Sequence, residues 1–135
     1  MINEHFKNSL ARFNSNPPAN QVSIKSCLAN LSYLLPDDYI RFLERANGGE
    51  GFVGKAYLIL WRVEELIDKN AGYNVAEFAP GLLIFGSDGG GEAFAFDMRS
   101  TPAPVVSVPF IGMELAVAIV IAPSFDAFLE TLSRS

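Results

Sequence analysis

The sequence predicts an α+β domain in which an antiparallel sheet of about four to six strands packs against helices. Two observations lead to this prediction. Apolar residues follow the helical period up to about residue 47, and from about residue 52 they fall into short strand-like runs separated by turn residues. The 135 residues, half of them apolar, suffice for a single domain with its own core.

Three helices are predicted in the first third of the chain. Residues 2–13 ("INEHFKNSLARF") place apolar side chains along one stripe, and two prolines then end this helix, so residues 1–19 should form a helix and a linker. A second helix should follow Asn20. The third lies in "LPDDYIRFLERANGG", with Pro36 in its first turn and Gly48 available to end it.

The strand candidates begin with "AYLILW", where we expect Trp61 to be a core residue rather than an exposed binding anchor. A short helix, "VEELIDKN", should follow. The next candidates are "GLLIFG", "EAFAFD", "VVSVPF" and "LAVAIVIA". A closing helix, "SFDAFLETL", carries Phe and Leu on one face and has Ser124 as its N-cap.

The stretch "GSDGGGEAFAFD" at residues 86–97 resembles the start of a phosphate-binding loop. Such a loop needs a lysine and a hydroxyl residue after its last glycine, and it must open a helix. Here Glu92 comes next and a strand pattern follows, so the glycines indicate a hairpin turn and not a nucleotide site. We expect larger side chains at Gly89 and Gly91 to destabilise this turn.

The residues for most catalytic or metal sites are missing from the sequence. His5 is the one histidine, and Cys27, the one cysteine, lies among apolar residues where a buried thiol is expected. We therefore predict no catalytic, cofactor-binding or metal-binding residues, although paired glycosidase carboxylates stay open because their separation is a three-dimensional property. The N-terminus does not resemble a signal peptide, and the longest apolar run cannot span a bilayer, so a cytoplasmic location is expected.

The acidic charge is unevenly distributed. The net charge is −5; residues 1–69 carry eight acids and eight bases, whereas residues 70–133 carry seven acids and the single base Arg99. This balance argues against a nucleic-acid ligand. A solvated surface is the default explanation, and an acidic face that draws a basic protein is the more specific one.

Four acids in predicted loops or strand ends are the candidate partner-binding residues: Glu50, Asp88, Glu92 and Asp97. They place the predicted binding face at the hairpin end of the sheet. The alternative is that Asp88 and Glu92 serve the turn itself by accepting hydrogen bonds from backbone N–H groups.

Taken in order, these segments resemble the SUKH superfamily over roughly residues 20–132. The matching stretches are "LPDDYIRFLERANGG", "YLILW", "GLLIFGSDGGGEAFAFD" and "IAPSFDAFLE". The resemblance implies a binding module without catalysis. Its members include immunity proteins that neutralise secreted toxins, often nucleases, and fungal cell-wall-synthesis regulators. An immunity protein bound to a basic toxin domain is therefore the first hypothesis, a regulatory or scaffolding module the second, and an enzyme the last.

Overall fold

The computed structural model describes residues 10–135, in which seven strands form one sheet. The strands are β1 (Phe13–Ser15), β2 (Gly49–Val53), β3 (Ala56–Leu60), β4 (Leu82–Ser87), β5 (Glu92–Asp97), β6 (Val105–Pro109) and β7 (Ile119–Ala122). The helices are α1 (Gln21–Asn30), α2 (Asp37–Leu43), α3 (Leu66–Gly72), α4 (Val75–Phe78) and α5 (Phe125–Ser133). Each strand pairs antiparallel with its neighbour in the chain, so the predicted α+β class is confirmed.

The sheet exceeds the expected four to six strands because β1 and β2 were not anticipated. β1 begins at Phe13, inside the predicted first helix; residues 2–9 of that helix lie outside the described residues. β2 escaped notice because its glycines are poor strand formers. These glycines are needed because β1 passes very close to β2. A Cβ on Gly49 would lie 2.3 Å from the Asn14 carbonyl oxygen, and a Cβ on Gly51 would lie 2.4 Å from the Arg12 carbonyl oxygen.

Most other predicted elements are confirmed, with changes at their ends. The predicted helix "VEELIDKN" begins as a 3-10 turn (Val63–Glu65) and continues as α3. Only the second half of "LAVAIVIA" is a strand, since Leu115–Val117 forms another 3-10 turn. Ser124 is the predicted N-cap and accepts a hydrogen bond from the Ala127 N–H; Asn20 likewise accepts one from the Ser23 N–H. The predicted ending of the third helix at Gly48 was wrong, because α2 ends at Leu43 with Glu44 as its C-cap. No helix in residues 10–135 is long and apolar enough to cross a membrane.

The core lies between the sheet and helices α2 and α5 and is built around aromatic rings. The Tyr39 ring of α2 lies 5.1 Å from the rings of both Phe96 and Phe125, centre to centre. Phe85 of β4 contacts Phe125 and Phe128 of α5, in each case at 5.6 Å. We call these five rings the aromatic cluster. The Tyr39 hydroxyl is buried without a hydrogen-bond partner in the described residues, and burial raises its pKa.

A side chain of helix α3 makes hydrogen bonds to the backbone of β4 that a neighbouring strand would otherwise make. β3 pairs with β4 at only two positions, and Ile84 lies beyond them. The Asn70 amide instead accepts a hydrogen bond from the Ile84 N–H and donates one to the Ile84 carbonyl, both at 2.9 Å. This side chain thereby satisfies two backbone groups in the middle of the sheet.

The β4–β5 hairpin confirms the turn predicted from the glycines, with unequal roles for its members. Gly89 has φ +81°, and a Cβ there would lie 2.9 Å from the Tyr57 ring. Gly91 has no positive φ, and a Cβ there would meet no atom within 4 Å. The expectation that Gly91 needs to be glycine was therefore wrong, because its backbone is in an ordinary conformation facing open space.

Replacing Asn70 with alanine should lower the free energy of unfolding by about 2–3 kcal/mol, because two backbone groups of Ile84 lose their partner. Asn30→Ala is the matched control, because each asparagine donates to the carbonyl four residues earlier, Asn70 to Leu66 and Asn30 to Ser26, but only Asn70 also bonds to Ile84. Urea unfolding of both variants measures the difference. If both variants lost the same free energy of unfolding, the hydrogen bonds between Asn70 and Ile84 would contribute nothing to stability.

Gly89→Ala should destabilise the fold by about 1–2 kcal/mol, the usual cost of a left-handed alanine. Gly91→Ala should change stability by less than about 0.5 kcal/mol, as for an unconstrained surface position. Thermal unfolding of the two variants in one buffer tests this assignment. A larger loss for Gly91→Ala would contradict it.

Candidate partner-binding groove

A groove of about 680 Å³ lies on the face of the sheet opposite the aromatic cluster. Its floor follows one cross-strand row, in which Asn14, Glu50, Ile59 and Ser87 stand opposite one another on β1 to β4. Residues opposite each other in antiparallel strands project from the same face. The floor is therefore mostly polar, with Ile59 as its apolar centre.

The wall of the groove is aromatic. The rings of Trp61 and Tyr73 are nearly parallel, with centres 6.2 Å apart, and the Phe110 ring lies 4.7 Å from Tyr73. Trp61 is only 8% exposed, as expected for a core residue, whereas Tyr73 is 45% exposed. Asn74, in the left-handed conformation, ends α3 directly after Tyr73 and holds that ring at the helix end.

A buried asparagine connects the groove to the signature segment "ANGG". The Asn47 side chain accepts a hydrogen bond from the Val63 N–H at 2.8 Å and donates to Glu64 at 2.7 Å, which lowers the pKa of Glu64. A Cβ on Gly48 would lie 2.7 Å from the Trp61 carbonyl oxygen, so glycine lets the two segments touch. This contact holds Trp61 at the edge of the groove.

Four charged side chains line the groove, and their charges balance: Glu50, Arg62, Glu65 and Lys69. Glu65 accepts a hydrogen bond from the Arg62 N–H at 2.9 Å and lies 3.9 Å from the Lys69 ammonium group. Lys69 also lies 5.4 Å from the centre of the Trp61 ring. Glu50 completes the set and accepts a hydrogen bond from the Tyr57 hydroxyl, which raises the pKa of Tyr57.

The four acids predicted from the sequence do not form one cluster. Glu50 lies in the groove, close to the hairpin turn that lines its rim. Asp88 accepts hydrogen bonds from the backbone N–H groups of Gly90 and Glu92, at 2.8 and 3.2 Å, so its carboxylate serves the turn. The Glu92 side chain makes no hydrogen bond or ion pair in the described part of the chain. It shares the opposite face with Phe94, two residues further on.

Asp97 lies at the far end of the sheet, opposite Leu82 at the start of β4. It is only 8% exposed, and Arg99 donates two side-chain hydrogen bonds to it, at 2.8 and 2.9 Å. The Arg99 guanidinium holds the pKa of Asp97 below its ordinary value. Asp97 is therefore a structural partner of Arg99 and is separated from the hairpin end.

Sequence reasoning missed the aromatic wall. Phe110 was predicted only as the end of the strand "VVSVPF", and Tyr73 stands outside the periodic segments. The signal that could have marked Tyr73 is its place beside a helix-ending asparagine. In residues 10–135 no group of three His, Cys, Asp or Glu side chains is placed to hold a metal ion. The aromatic wall and the polar floor suit the groove to an apolar or aromatic side chain held by polar neighbours.

The Asp97–Arg99 pair should stabilise the fold in a pH-dependent way. Because the folded state lowers the pKa of Asp97, its contribution is present above about pH 4 and is lost as pH falls through the folded pKa. Asp97→Asn should cost about 1 kcal/mol at pH 7, a modest value because Arg99 is half exposed. The difference in the free energy of unfolding between wild type and Asp97→Asn should disappear at acidic pH. A constant gap from pH 7 to pH 2 would contradict this linkage.

A comparison with known families matches residues 18–131 to the SMI1 / KNR4 family (SUKH-1). No curated protein matches the chain. The family match covers most of the 135 residues and includes the signature helix, the glycine hairpin and the closing helix that carried the resemblance in the sequence. The chain belongs to the SMI1 / KNR4 family (SUKH-1).

Proposed function

We propose that this chain is a non-catalytic protein-binding module, an immunity protein that neutralises a secreted toxin by binding it directly. The observation that carries the proposal is the groove, with an aromatic wall on a rigid sheet and a half-exposed tyrosine at its edge. Tyrosine and tryptophan dominate the energetics of protein interfaces, since each supplies a large contact area at a small entropy cost.

The available side chains favour binding over catalysis. Cys27 is buried and its pKa is raised by burial, which is the wrong direction for a nucleophile. The carboxylates of Asp88 and Asp97 accept hydrogen bonds within their own turns. Family membership agrees with this proposal, since the SUKH resemblance implied a module without catalysis.

Charge supports a basic partner, such as a nuclease domain, over an acidic one. Glu50 and Glu92 keep their carboxylates accessible at the hairpin end of the sheet, on opposite faces. Residues 70–133 add an excess of six negative charges. A basic toxin would be drawn to this surface before contact, so its association rate should fall as salt rises.

A regulatory or scaffolding module that binds a protein of its own cell is the second candidate. The observation that favours it is the balanced charge inside the groove, with two acids and two bases, which does not require a basic partner. The two candidates differ in what the chain should capture. An immunity protein should bind the toxin domain encoded beside its own gene, and a regulator should not.

The deciding experiment co-expresses the chain with the toxic domain encoded next to its gene. We expect growth to be rescued and a stable complex to form that dissociates faster when Tyr73 is alanine, by tenfold or more, as for an interface anchor. Phe78→Ala is the matched control, because Phe78 is an equally exposed aromatic, 51% against 45%, that does not line the groove. Failure of rescue by the wild-type chain would refute the immunity role.

The charge argument has its own test. Glu92→Lys should slow association and weaken its salt dependence without changing the melting temperature, because the Glu92 carboxylate makes no hydrogen bond or ion pair in residues 10–135. Asp88→Lys should lower the melting temperature, because it removes the acceptor of two backbone N–H groups. Unchanged association of the Glu92 variant at low salt would remove the acidic-face explanation.

A further inference from the structure

Strand β7 forms an open edge of the sheet. Within the described residues its one strand neighbour is β6, so its outer backbone groups face away from the sheet. Ile119 and Val120 are each 64% exposed. Because successive strand residues point to opposite faces, neither face of this edge is covered where these two side chains stand.

The segment that contains β7 lacks the charged residues by which proteins often protect an edge strand, although β7 has only four residues, one bulge at Ile121 and Pro123 directly after it. Residues 115–122 contain no charged residue, no proline and no glycine. Edge strands are usually blunted by charges, prolines, bulges or shortness. The opposite edge follows this rule: β1 has only three residues, two of them exposed and polar, and prolines 17 and 18 follow it. The two edges of the sheet therefore differ in polarity: the exposed side chains of β1 are polar, whereas those of β7 are apolar.

We propose that β7 pairs antiparallel with β7 of a second copy of this chain, joining two sheets edge to edge. The charge distribution favours a second copy of the chain as the partner of β7. A chain of net charge −5 repels its own copy over most of its surface, but residues 111–122 carry only Glu114. The same lack of acids gives a basic toxin nothing to bind at this edge. A second copy offers an equally uncharged, apolar strand.

Two-fold symmetry makes the contact self-complementary. An axis perpendicular to the sheet and passing at Val120 leaves each side chain on its own face, so Val120 stands beside its own copy at the centre of the pair. Pairing would cover the exposed side chains of Ile119 and Val120 and satisfy the outer backbone groups. The groove is lined mainly by β1 to β4 and α3, at the other end of the strand order, and stays open.

The first test is sedimentation equilibrium of the full chain from low micromolar to submillimolar concentration. The mass should rise from one chain to two and stop there. Ile119→Lys and Val120→Lys should each keep the chain monomeric at the concentrations where wild type is dimeric. Val22→Lys should dimerise like wild type, because Val22 is 78% exposed but lies on α1. A wild-type monomer throughout, growth beyond two chains, or dimers that survive both edge variants would overturn the proposal.

The second test examines the register. Opposite residues of an antiparallel pair lie close enough for a disulfide, so Val120→Cys should give a covalent dimer under mild oxidation. Cys27 stays in place because it is buried. Val22→Cys, equally accessible but away from the edge, should remain monomeric under the same conditions. Cross-linking of Val120→Cys no faster than that of Val22→Cys would overturn the β7–β7 pairing.

Discussion

The bulge at Phe85 is the constraint on which the two faces of the sheet depend. Across β4 and β5, Ile84 stands opposite Ala95 and Gly86 stands opposite Phe94, so one extra residue, Phe85, lies between them. Phe85 and Gly86 therefore both lie on the helix side, where Phe85 joins the aromatic cluster, and Ser87 returns to the groove side. A regular strand would exchange the faces of every residue after the bulge. Gly86 is required there, since a Cβ would lie 2.2 Å from the Ile59 carbonyl oxygen.

This division explains how one sheet carries both a core and the proposed binding surface. On the helix side the aromatic cluster supplies the burial that stabilises the fold, and it includes the Tyr39 hydroxyl, which has no hydrogen-bond partner within residues 10–135. On the other side α3 lies beside β4 in place of a strand, held by Asn70. The sheet face that α3 leaves open between β1 and the hairpin becomes the groove. Stability and the proposed binding therefore depend on opposite faces of the sheet. Substitutions at Tyr73 can weaken the proposed binding without lowering stability.

The acidic second half of the chain is not one surface. The hairpin reverses the chain, so Asp88 and Asp97 lie at opposite ends of β5, and the pleat sends Glu50 and Glu92 to opposite faces. The long-range field of the excess acids can still guide a basic partner, because such attraction depends on the sum of the charges and not on contact. In the proposed complex, contact itself falls to the groove, where the aromatic wall and balanced charges offer shape and hydrogen bonds.

The sequence by itself determined the α+β class, the closing helix, the hairpin and the family resemblance, because each depends on local periodicity, caps and turn chemistry. Asn20, Ser124 and Gly89 act through neighbours a few residues away, which a pattern can reveal. It did not reveal β1, which lies inside the predicted first helix, or β2, whose glycines suit a close approach of strands and have no strand propensity of their own. Nor did it separate Asp97 from Asp88 or bring Trp61, Tyr73 and Phe110 together. Those relations depend on strand register and on one bulge, where a shift of a single residue moves a side chain to the other face, so only the tertiary structure decided them.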